Sequence, residues 1–516
     1  MRRFGCVFVI LMSLCSFDTL LSKEIVIYLH HHFKEDTMGV IVKVDWQDIS
    51  ERLSTDNPED ISIYDITNGE EVPFGIFAYA DTLPKNIYFR SDFFRRNYYK
   101  SYLISLSDKK LPFNALPSDT LALLDSNENT SIKYLTKYED YIKKNGPIPC
   151  MADKVVSSIT TMYPEPNTLN WATVGRWHYE TGYFLDVVFD YMELKKNDQY
   201  LNYIKEWVDQ FIDAEGNFKP RVYRKDRYRL DDINAGRLFI DLYNITKEER
   251  YKVATEALIQ HLREQPKTSD GGYWHKEVYA HQMWLDGIFM ADVFSTQYAK
   301  TFNNPELYDE AIQQIRLMYQ HAHDTVTGLL YHGWDESKER IWANPVTGTS
   351  PSFWSRGIGW YMMALVECLD NIPLDHPQRA YVIVIFQNLA ESVIKYQDTE
   401  TGLWYQVTDK VGEPGNWFET SGTAMFAYAL AKGVRMGYIE PKYLENAKKA
   451  YNGLLQNHMY FDDDGLMYLT MTVMVGTLNE RSSDGSYNYY IGVPRRTNDF
   501  KGISPFFNLC NELELY

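Results

Sequence analysis

The sequence predicts a mainly α-helical protein in which six helical hairpins form a ring, an (α/α)6 barrel, preceded by a small β-sandwich. Three observations predict this fold class: short strand-like runs in the first quarter, amphipathic helical spacing from about residue 151, and a turn motif that recurs after it. With 516 residues, the chain is long enough for several domains. We expect an export signal at 1–22, the sandwich at 23–140 and the barrel at 150–516.

The amino terminus has the pattern of a secretory signal. Arg2 and Arg3 precede an uncharged stretch from Phe4 to Phe17, which is too short to span a bilayer. We therefore expect export without membrane insertion, to a bacterial periplasm or to the cell surface. The cysteines that follow are too few and too widely spaced for a disulfide framework: Cys150, Cys368 and Cys510.

The segment from 23 to about 135 contains short runs of Ile, Val and Tyr separated by turn residues. Asn68-Gly69 lies between two such runs and is typical of a β-hairpin. These runs predict the small β-sandwich. The triplet His30-His31-His32 could suggest a metal site, but neighbouring strand residues point to opposite faces, so a solvated surface patch is the preferred interpretation.

A recurring turn defines the helical part, with an acidic or polar residue, then glycine, then an aromatic residue. The glycines lie about 62 residues apart, so the 366 residues from 151 to 516 hold about six units: Gly216, Gly272, Gly328, Gly402 and Gly465. An amphipathic helix precedes each turn, and a uniformly apolar helix follows it. We expect the uniformly apolar helices to lie inside the fold. An open solenoid is the alternative, but capping repeats are not evident and a closed ring is favoured.

The composition argues against one class of partner and suggests another. Acidic residues number 70 against 52 basic ones, a formal net charge of −18, so we expect no nucleic-acid partner. Aromatic residues make up 15% of the chain, including 40 tyrosines. They indicate either a large aromatic core or a pocket that binds carbohydrate.

The polar and aromatic clusters share one phase of the repeat, between the turn and the inner helix. In a closed ring these segments meet at one mouth of the barrel, where we expect the site. One cluster holds Asp231 and Asp232 at a predicted helix start, where a carboxylate could also simply cap the helix. Another runs from Tyr273 to Lys276 and from His281 to Gly287.

Asp286 is the candidate general acid of this second cluster. It lies four residues after Gln282 and beside Trp284, and desolvation among apolar neighbours predicts a raised pKa, as a general acid requires near neutral pH. A buried aspartate in a structural network is the alternative. Arg356, next to Trp354, offers a planar fork for a carboxylate or for a structural salt bridge.

Together these motifs resemble glycoside hydrolase family 105, the unsaturated rhamnogalacturonyl hydrolases, which are related to the family 88 unsaturated glucuronyl hydrolases. The resemblance is ordered and covers about 170 to 510. It is carried by Trp177-His178-Tyr179-Glu180, Leu230-Asp231-Asp232-Ile233-Asn234, His281-Gln282-Met283-Trp284-Leu285-Asp286-Gly287, Tyr331-His332-Gly333-Trp334, Trp354-Ser355-Arg356-Gly357 and Asn498-Asp499-Phe500-Lys501-Gly502.

The resemblance implies an exported glycosidase that hydrates the C4=C5 bond of a 4,5-unsaturated uronic acid at the non-reducing end of a lyase-generated oligosaccharide, with pectin rhamnogalacturonan as the default. Asp286 would protonate C4 and then take a proton from the water that attacks C5, while Asp231 would hold ring hydroxyls. No metal or organic cofactor is implied, and we expect a monomer or a weak homo-oligomer. The resemblance implies these substrate contacts: Tyr179, Lys276, His281, Trp284, His332, Trp354 and Arg356.

Other functions remain open on the residues alone. An inverting hydrolase of saturated oligosaccharides could use Asp231 and Asp286 on the same barrel. A non-catalytic sugar-binding protein would keep the aromatic residues but would not need Asp286. A lyase or epimerase on this ring would depend more on tyrosine or histidine bases.

Overall fold

The computed structural model describes residues 24–31, 40–77, 86–91, 98–106, 130–479 and 482–516. The expected export signal at 1–22 lies outside the described residues. Within these ranges, every helix is too short or too polar to cross a membrane.

Where the structure describes it, the amino-terminal part contains strands and two short α-helices. In chain order they are β1 Glu24–His31, β2 Val40–Asp45, α1 Trp46–Leu53, β3 Ile61–Asp65, β4 Glu70–Glu71, β5 Phe74–Phe77, β6 Asn86–Ser91, β7 Tyr98–Leu106, β8 Thr130–Lys137 and α2 Tyr138–Asn145. The hairpin predicted at Asn68-Gly69 is confirmed, because β3 and β4 pair antiparallel on either side of it.

Two antiparallel sheets of this part share an apolar cluster. Strands β8, β1, β7, β3 and β4 lie side by side in one sheet, and β2, β6 and β5 form the other. Alternate residues of a strand point to the same face, and the inward ones fill the shared cluster. Its members include Ile27, Val42, Ile63, Phe89 and Ile104.

The rest of the chain alternates outer and inner helices. In chain order its elements are α3 Met151–Met162, α4 Tyr179–Lys195, α5 Leu201–Asp209, α6 Asp231–Asn234, α7 Arg237–Thr246, α8 Glu249–Glu264, β9 Gln282–Trp284, α9 Leu285–Phe302, α10 Glu306–Ala322, β10 Gly333–Asp335, α11 Ser355–Asn371, α12 Arg379–Ile394, α13 Thr420–Arg435, α14 Tyr443–His458, β11 Met459–Phe461, β12 Met467–Leu469, β13 Thr472–Val473, α15 Tyr487–Gly492, β14 Arg495–Arg496 and α16 Phe500–Leu513.

Six helices of this part form a closed inner ring. In order these are α4, α7, α9, α11, α13 and α16; each packs against the next, and α16 packs against α4. The inner helices are largely buried, and α11 is buried continuously from Ser355 to Leu369, with mostly apolar residues and a few polar or charged ones such as Glu367. The prediction of a mainly helical protein is confirmed, and the ring closes as the repeat indicated.

The recurring turn follows an outer helix in each unit. Glycine has no Cβ, so it adopts positive φ without strain. Four predicted glycines have φ between 75° and 92°: Gly216, Gly328, Gly402 and Gly465. In the second turn the predicted glycine is wrong by one residue. Gly271, with φ 98°, occupies the position of positive φ, because the carbonyl of Gly272 accepts a hydrogen bond from the backbone N–H of Thr268 at the end of the turn.

The larger amino-terminal sheet continues into the barrel. Strand β11 pairs antiparallel with β8, placing Tyr460 opposite Lys137, and β12 adds a seventh strand. The predicted sandwich is therefore matched only in part, since one of its sheets is shared with the barrel. The turn after β3 also contacts the barrel, because the Thr67 carbonyl accepts a hydrogen bond of 2.9 Å from the backbone N–H of Arg495.

Buried charges join the two ends of the ring. Nζ of Lys501, in the first turn of α16, lies 2.7 Å from Oε1 of Glu180 in α4 and 2.8 Å from Oδ1 of Asp499. Burial alone would raise the pKa of Glu180, but the charges of Lys501 and His178 and the hydrogen bonds from Lys501 and Asn170 hold it well below its usual value. The first and last inner helices are thus held together by ionised groups.

Replacing Lys501 with Met should lower the free energy of unfolding by about 3–5 kcal/mol, because Glu180 and Asp499 would be left buried without their cation. Chemical denaturation near neutral pH measures this change. The loss should shrink as the pH falls, because the depressed pKa of Glu180 means that its stabilising ionisation is lost on protonation.

The matched control is Lys442→Met, which removes an exposed lysine paired with exposed Glu440. It should not change the unfolding curve measurably, since exposed ion pairs contribute little. A Lys501 variant as stable as this control would contradict the role given to the buried charges.

Candidate active site

The amino-terminal ends of the inner helices meet at one mouth of the barrel. Tyr179 begins α4, Asp231 begins α6, Asp286 lies in the first turn of α9 and Arg356 in the first turn of α11. A carboxylate is favoured in a first turn because the helix dipole is positive there. The shared phase of the sequence clusters therefore corresponds to a shared place in the fold.

Asp286 ends a short chain of hydrogen bonds. Its Oδ2 lies 3.1 Å from Nε2 of His332, and Nδ1 of that histidine lies 2.6 Å from the hydroxyl of Tyr490. Burial raises the pKa of Tyr490 well above its usual value, so this hydroxyl keeps its proton and donates it to Nδ1. Nε2 then carries the ring proton and donates to Asp286. Tyr490 thereby selects the tautomer of His332.

The predicted raised pKa of Asp286 is wrong. Burial does raise it, but the hydrogen bond from His332 and the electrostatic interactions with His332, His275 and Arg356 lower it by more, and the pKa lies below its ordinary value. Asp286 is therefore an ionised carboxylate in the free protein near neutral pH. To hold a proton it needs a change in its surroundings, such as a nearby anion or the loss of water.

Asp231 is surrounded by cationic and polar side chains. Its Oδ2 lies 2.7 Å from Nζ of Lys276 and 3.4 Å from the guanidinium of Arg229, and its Oδ1 lies 3.4 Å from Nε2 of His275. Burial raises its pKa, but Lys276, His275 and Arg229 keep the pKa far below the usual range. Burial and the charge of Lys276 lower the pKa of His275 to about 4. Asp231 is thus a permanently ionised acceptor beside a neutral histidine.

The adjacent carboxyl group, Asp232, shows the opposite shift. Burial and the negative charge of Asp231 raise the pKa of Asp232 to about 6, although Arg229 lies 3.8 Å from it and opposes the shift. The two neighbouring acids therefore have pKa values pushed apart, and Asp232 gains its proton only as the pH falls to about 6 while Asp231 stays ionised.

The two predicted stacking tryptophans are buried. The ring of Trp284 stacks on His275 and on Tyr279, each with a centroid distance of 4.6 Å. Trp354 lies edge-on to His332 at 4.6 Å and is only 1% exposed. In the free protein these rings orient the histidines, and their stacking on a sugar stays a prediction.

Arg356 is also buried and already has protein acceptors. Its two terminal nitrogens donate to the backbone carbonyls of Val473 and Met474, the latter at 2.8 Å, and its guanidinium lies 4.8 Å from the Trp354 ring. It therefore ties the β13 segment to α11 while its charge acts on Asp286. Direct contact with a substrate carboxylate stays a prediction.

The remaining predicted residues lie around the same centre. Tyr179 is half-buried, and its pKa is raised by burial and by the charges of Glu180, Asp231 and Asp286. His281 lies at the rim with 48% of its side chain exposed, and its Nδ1 is 3.2 Å from Glu336. The ammonium of Lys276 is already engaged with Asp231 in the free protein.

The structure adds three residues to the predicted site. His275 and Arg229 lie within the sequence clusters around Lys276 and Asp231, but no sequence pattern assigned them a role. Tyr490 is 158 residues away from His332, and no local pattern connects the two.

One group among the described residues brings three possible metal ligands within 4.8 Å of one another: Cys150, Asp153 and Glu514. The ammonium of Lys195 already lies 2.5 Å from Glu514 and 3.3 Å from Asp153, so a cation of the protein occupies the place of a metal. In the histidine triplet, His30 stacks on Tyr99 at 3.9 Å, and His32 lies outside the described residues.

Comparison with known proteins connects this site to a family. A sequence profile described as Glycosyl Hydrolase Family 88 matches residues 151–515. A family 105 glycoside hydrolase structure from C. acetobutylicum is 36% identical with a TM-score of 0.67, covering 71% of this chain and 99% of that one. Protein Atu3128 of Agrobacterium fabrum is 36% identical over 219 residues, 41% of this chain and 93% of the relative.

A further relative carries a functional name. The unsaturated rhamnogalacturonyl hydrolase YesR of Bacillus subtilis is 24% identical over 304 residues, which is 58% of this chain and 80% of that protein.

The opposite shifts of the two adjacent acids can be tested by carbon NMR titration of protein labelled at the aspartate carboxyl groups. Asp232 should titrate near pH 6, and Asp231 should stay ionised to the acid limit of the fold. Asp231→Asn should move the Asp232 midpoint to lower pH, because the negative charge that raises it is removed. Asp226→Asn, at an exposed position, is the control, and equal midpoints in the two variants would contradict the coupling.

Proposed function

The chain belongs to the glycoside hydrolases of families 88 and 105, and we propose that it removes a 4,5-unsaturated uronic acid from the non-reducing end of lyase-generated oligosaccharides. The observation that carries the proposal is the hydrogen-bonded series Asp286–His332–Tyr490 beside the ionised Asp231. The name of the relative YesR supports rhamnogalacturonan as the parent polysaccharide.

Hydration of the C4=C5 bond needs one proton donor and one water. Asp286 delivers its proton to C4, and the double-bond electrons form the new C4–H bond, which leaves positive charge shared by C5 and the ring oxygen. Water then adds to C5 and returns a proton to the Asp286 carboxylate. One water has been added, and the resulting hemiketal opens and releases the remaining sugar.

The low pKa of free Asp286 makes its proton depend on the substrate. A bound uronate places a second negative charge near Asp286 and displaces water, and both changes raise the pKa of the carboxyl group. Asp286 therefore takes up a proton as the substrate binds. His332 keeps it oriented throughout, because the proton on Nε2 is fixed by the Tyr490 hydroxyl.

Asp231 has a different role because it never needs to change protonation. As an ionised acceptor held by Lys276 at 2.7 Å, it binds ring hydroxyls of the unsaturated uronate. Lys276, Arg229 and Arg356 supply positive charge around this mouth, which attracts a small anionic substrate even though the whole chain carries −18.

The cellular setting belongs to the proposal as well. An export signal at 1–22 with Arg2 and Arg3 ahead of an apolar stretch supports a periplasmic or cell-surface enzyme, which acts as a monomer or weak homo-oligomer. Residues 23–140 and 150–516 would then be the two parts of the mature chain.

Asp286→Asn is the direct test of the chemistry. With a lyase-generated rhamnogalacturonan disaccharide, wild-type protein should abolish the ultraviolet absorbance of the conjugated uronate, and Asp286→Asn should be slower by about 10²–10⁴-fold because the proton donor is gone. Asp375→Asn, at an exposed loop position, is the matched control and should keep wild-type rates.

The result also separates the alternatives. An active Asp286→Asn variant would remove this residue as the proton donor. Turnover of saturated oligosaccharides alone would favour an inverting hydrolase, and binding of sugars without any turnover would favour a non-catalytic protein.

Tyr490→Phe tests the orientation of His332. The variant should fold normally, since the ring remains, and should lower kcat by about 10–100-fold with little change in KM, because His332 loses the donor that selects its tautomer. Stopped assays on the same disaccharide measure both constants. A wild-type kcat in this variant would show that the tyrosine hydroxyl is dispensable.

A further inference from the structure

A strongly basic segment precedes Asp231 in an otherwise acidic chain. The segment 219–229 has six basic residues and one acidic residue among its eleven. The chain as a whole has 70 acidic residues against 52 basic ones, so this segment has a charge opposite to that of the whole chain. Three of the basic side chains have carboxylate partners: Arg224 with Asp226, Lys225 with Glu264, and Arg229 with Asp231 and Asp232.

The other two arginines of the segment lack such partners. Arg221 and Arg227 are exposed, and in the described part of the chain neither forms an ion pair or a side-chain hydrogen bond. The same holds for Arg176, which lies just before α4. Like charges placed close together repel each other, so an unpaired group of this kind has no structural benefit of its own.

The loop that presents them is firmly anchored. Tyr223 packs on Phe218 with a centroid distance of 4.6 Å, and the Tyr228 carbonyl accepts a hydrogen bond of 3.0 Å from Gln265. Arg221 and Tyr228 have positive φ values of 69° and 40°, which cost about 1–3 kcal/mol each for residues other than glycine. The fold thus holds a strained loop whose tyrosines pack on neighbouring rings, while Arg221, Arg224 and Arg227 are exposed.

The exposed arginines line a groove that leads to the site. A depression of about 520 Å³ is lined by Arg176, Arg221, Arg224, Arg227 and Arg229, together with His178, Asp232 and apolar residues. A second depression, of about 460 Å³, shares three of these arginines and adds Lys276 and Tyr279.

The second depression connects the groove to the candidate active site. Lys276 is the 2.7 Å partner of Asp231, and Tyr279 stacks on Trp284. Six cationic side chains line the two depressions against three acidic ones. Of these three, Asp226 is paired with Arg224, and Asp232 lies beside Arg229. The groove is therefore positive along its length, from the outer arginines to the ionised aspartate of the site.

We propose that this groove is a distal subsite, in which Arg221, Arg227 and Arg176 bind a second acidic group of the oligosaccharide, a carboxylate or a sulfate ester, on a sugar beyond the one released. The inference rests on the proposed function for the placing of the unsaturated uronate at Asp286. A guanidinium presents two parallel N–H donors that match the oxygens of either anion. The protein is thus built for unsaturated oligosaccharides that carry repeated acidic groups.

The test compares the double variant Arg221→Gln/Arg227→Gln with the control Arg263→Gln, an exposed arginine of α8 outside the groove. Three substrates share one unsaturated non-reducing end: a disaccharide with a neutral second sugar, a tetrasaccharide with a second uronate, and its counterpart with a sulfate ester instead. On an acidic tetrasaccharide that occupies the groove, the double variant should lose about tenfold in kcat/KM, mostly through KM. Its kcat/KM on the disaccharide should be unchanged.

Salt dependence gives a second readout. The tenfold difference between wild type and double variant should shrink as the ionic strength rises, because the groove is open to solvent. Loss on only one tetrasaccharide would identify the carboxylate or the sulfate ester as the recognised group. Equal losses on the disaccharide and the tetrasaccharides, or no loss on either tetrasaccharide, would overturn the proposal.

Failure of the proposed function would be visible separately. If wild-type protein turned over none of the unsaturated substrates, calorimetry with a saturated oligosaccharide that carries two uronates would test whether the groove binds acidic sugars. Weaker binding by the double variant would support the proposed subsite, and equal binding would overturn it. Tighter binding of a single-stranded oligonucleotide, lost in the same variant, would assign the groove to nucleic acid and overturn the proposal as well.

Discussion

Closure of the ring through Lys501 is the constraint on which the site depends. A row of helical hairpins leaves one face of its first and last inner helices exposed, and closure removes both faces from water at once. Lys501, Glu180 and Asp499 join these two helices with charges that are almost fully buried. Because such charges are destabilising unless paired, they also specify which helix closes the ring and at what height. The amino-terminal ends of the inner helices are thereby brought to one mouth.

Within that mouth, environment gives two similar side chains different chemistry. Asp231 is held ionised by Lys276, Arg229 and His275, whereas Asp286 contacts one histidine whose tautomer is set by Tyr490. One carboxylate stays a fixed acceptor, and the other can change its protonation when its surroundings change. The same division explains why a hydration reaction at this mouth would need only one proton donor.

The parts outside the ring support the mouth and extend it. The segment of β13, which pairs with β14, holds Arg356 through the carbonyls of Val473 and Met474. The amino-terminal part contacts β14 through the hydrogen bond between Thr67 and Arg495. On another side, the 219–229 loop gives an acidic protein a positive groove. Net charge governs the field far from the protein, but nearby arginines govern it inside a groove.

The sequence by itself determined the ring of helical hairpins and several of the residues that meet at its mouth. Repeats at a constant spacing predict stacked hairpins, and residues in one phase of a repeat must share one end of the ring, so Asp231, Asp286, His332 and Arg356 were predictable as neighbours. Their states were decided only by the tertiary structure. The pKa of Asp286 is lowered by His332, His275 and Arg356, and His332 is in turn hydrogen-bonded to Tyr490 from a distant segment. Arg356 is satisfied by carbonyls of β13 and the residue after it. Local patterns record which residues are polar and where they recur, whereas pKa values and hydrogen-bond partners depend on groups that only folding brings within a few ångströms.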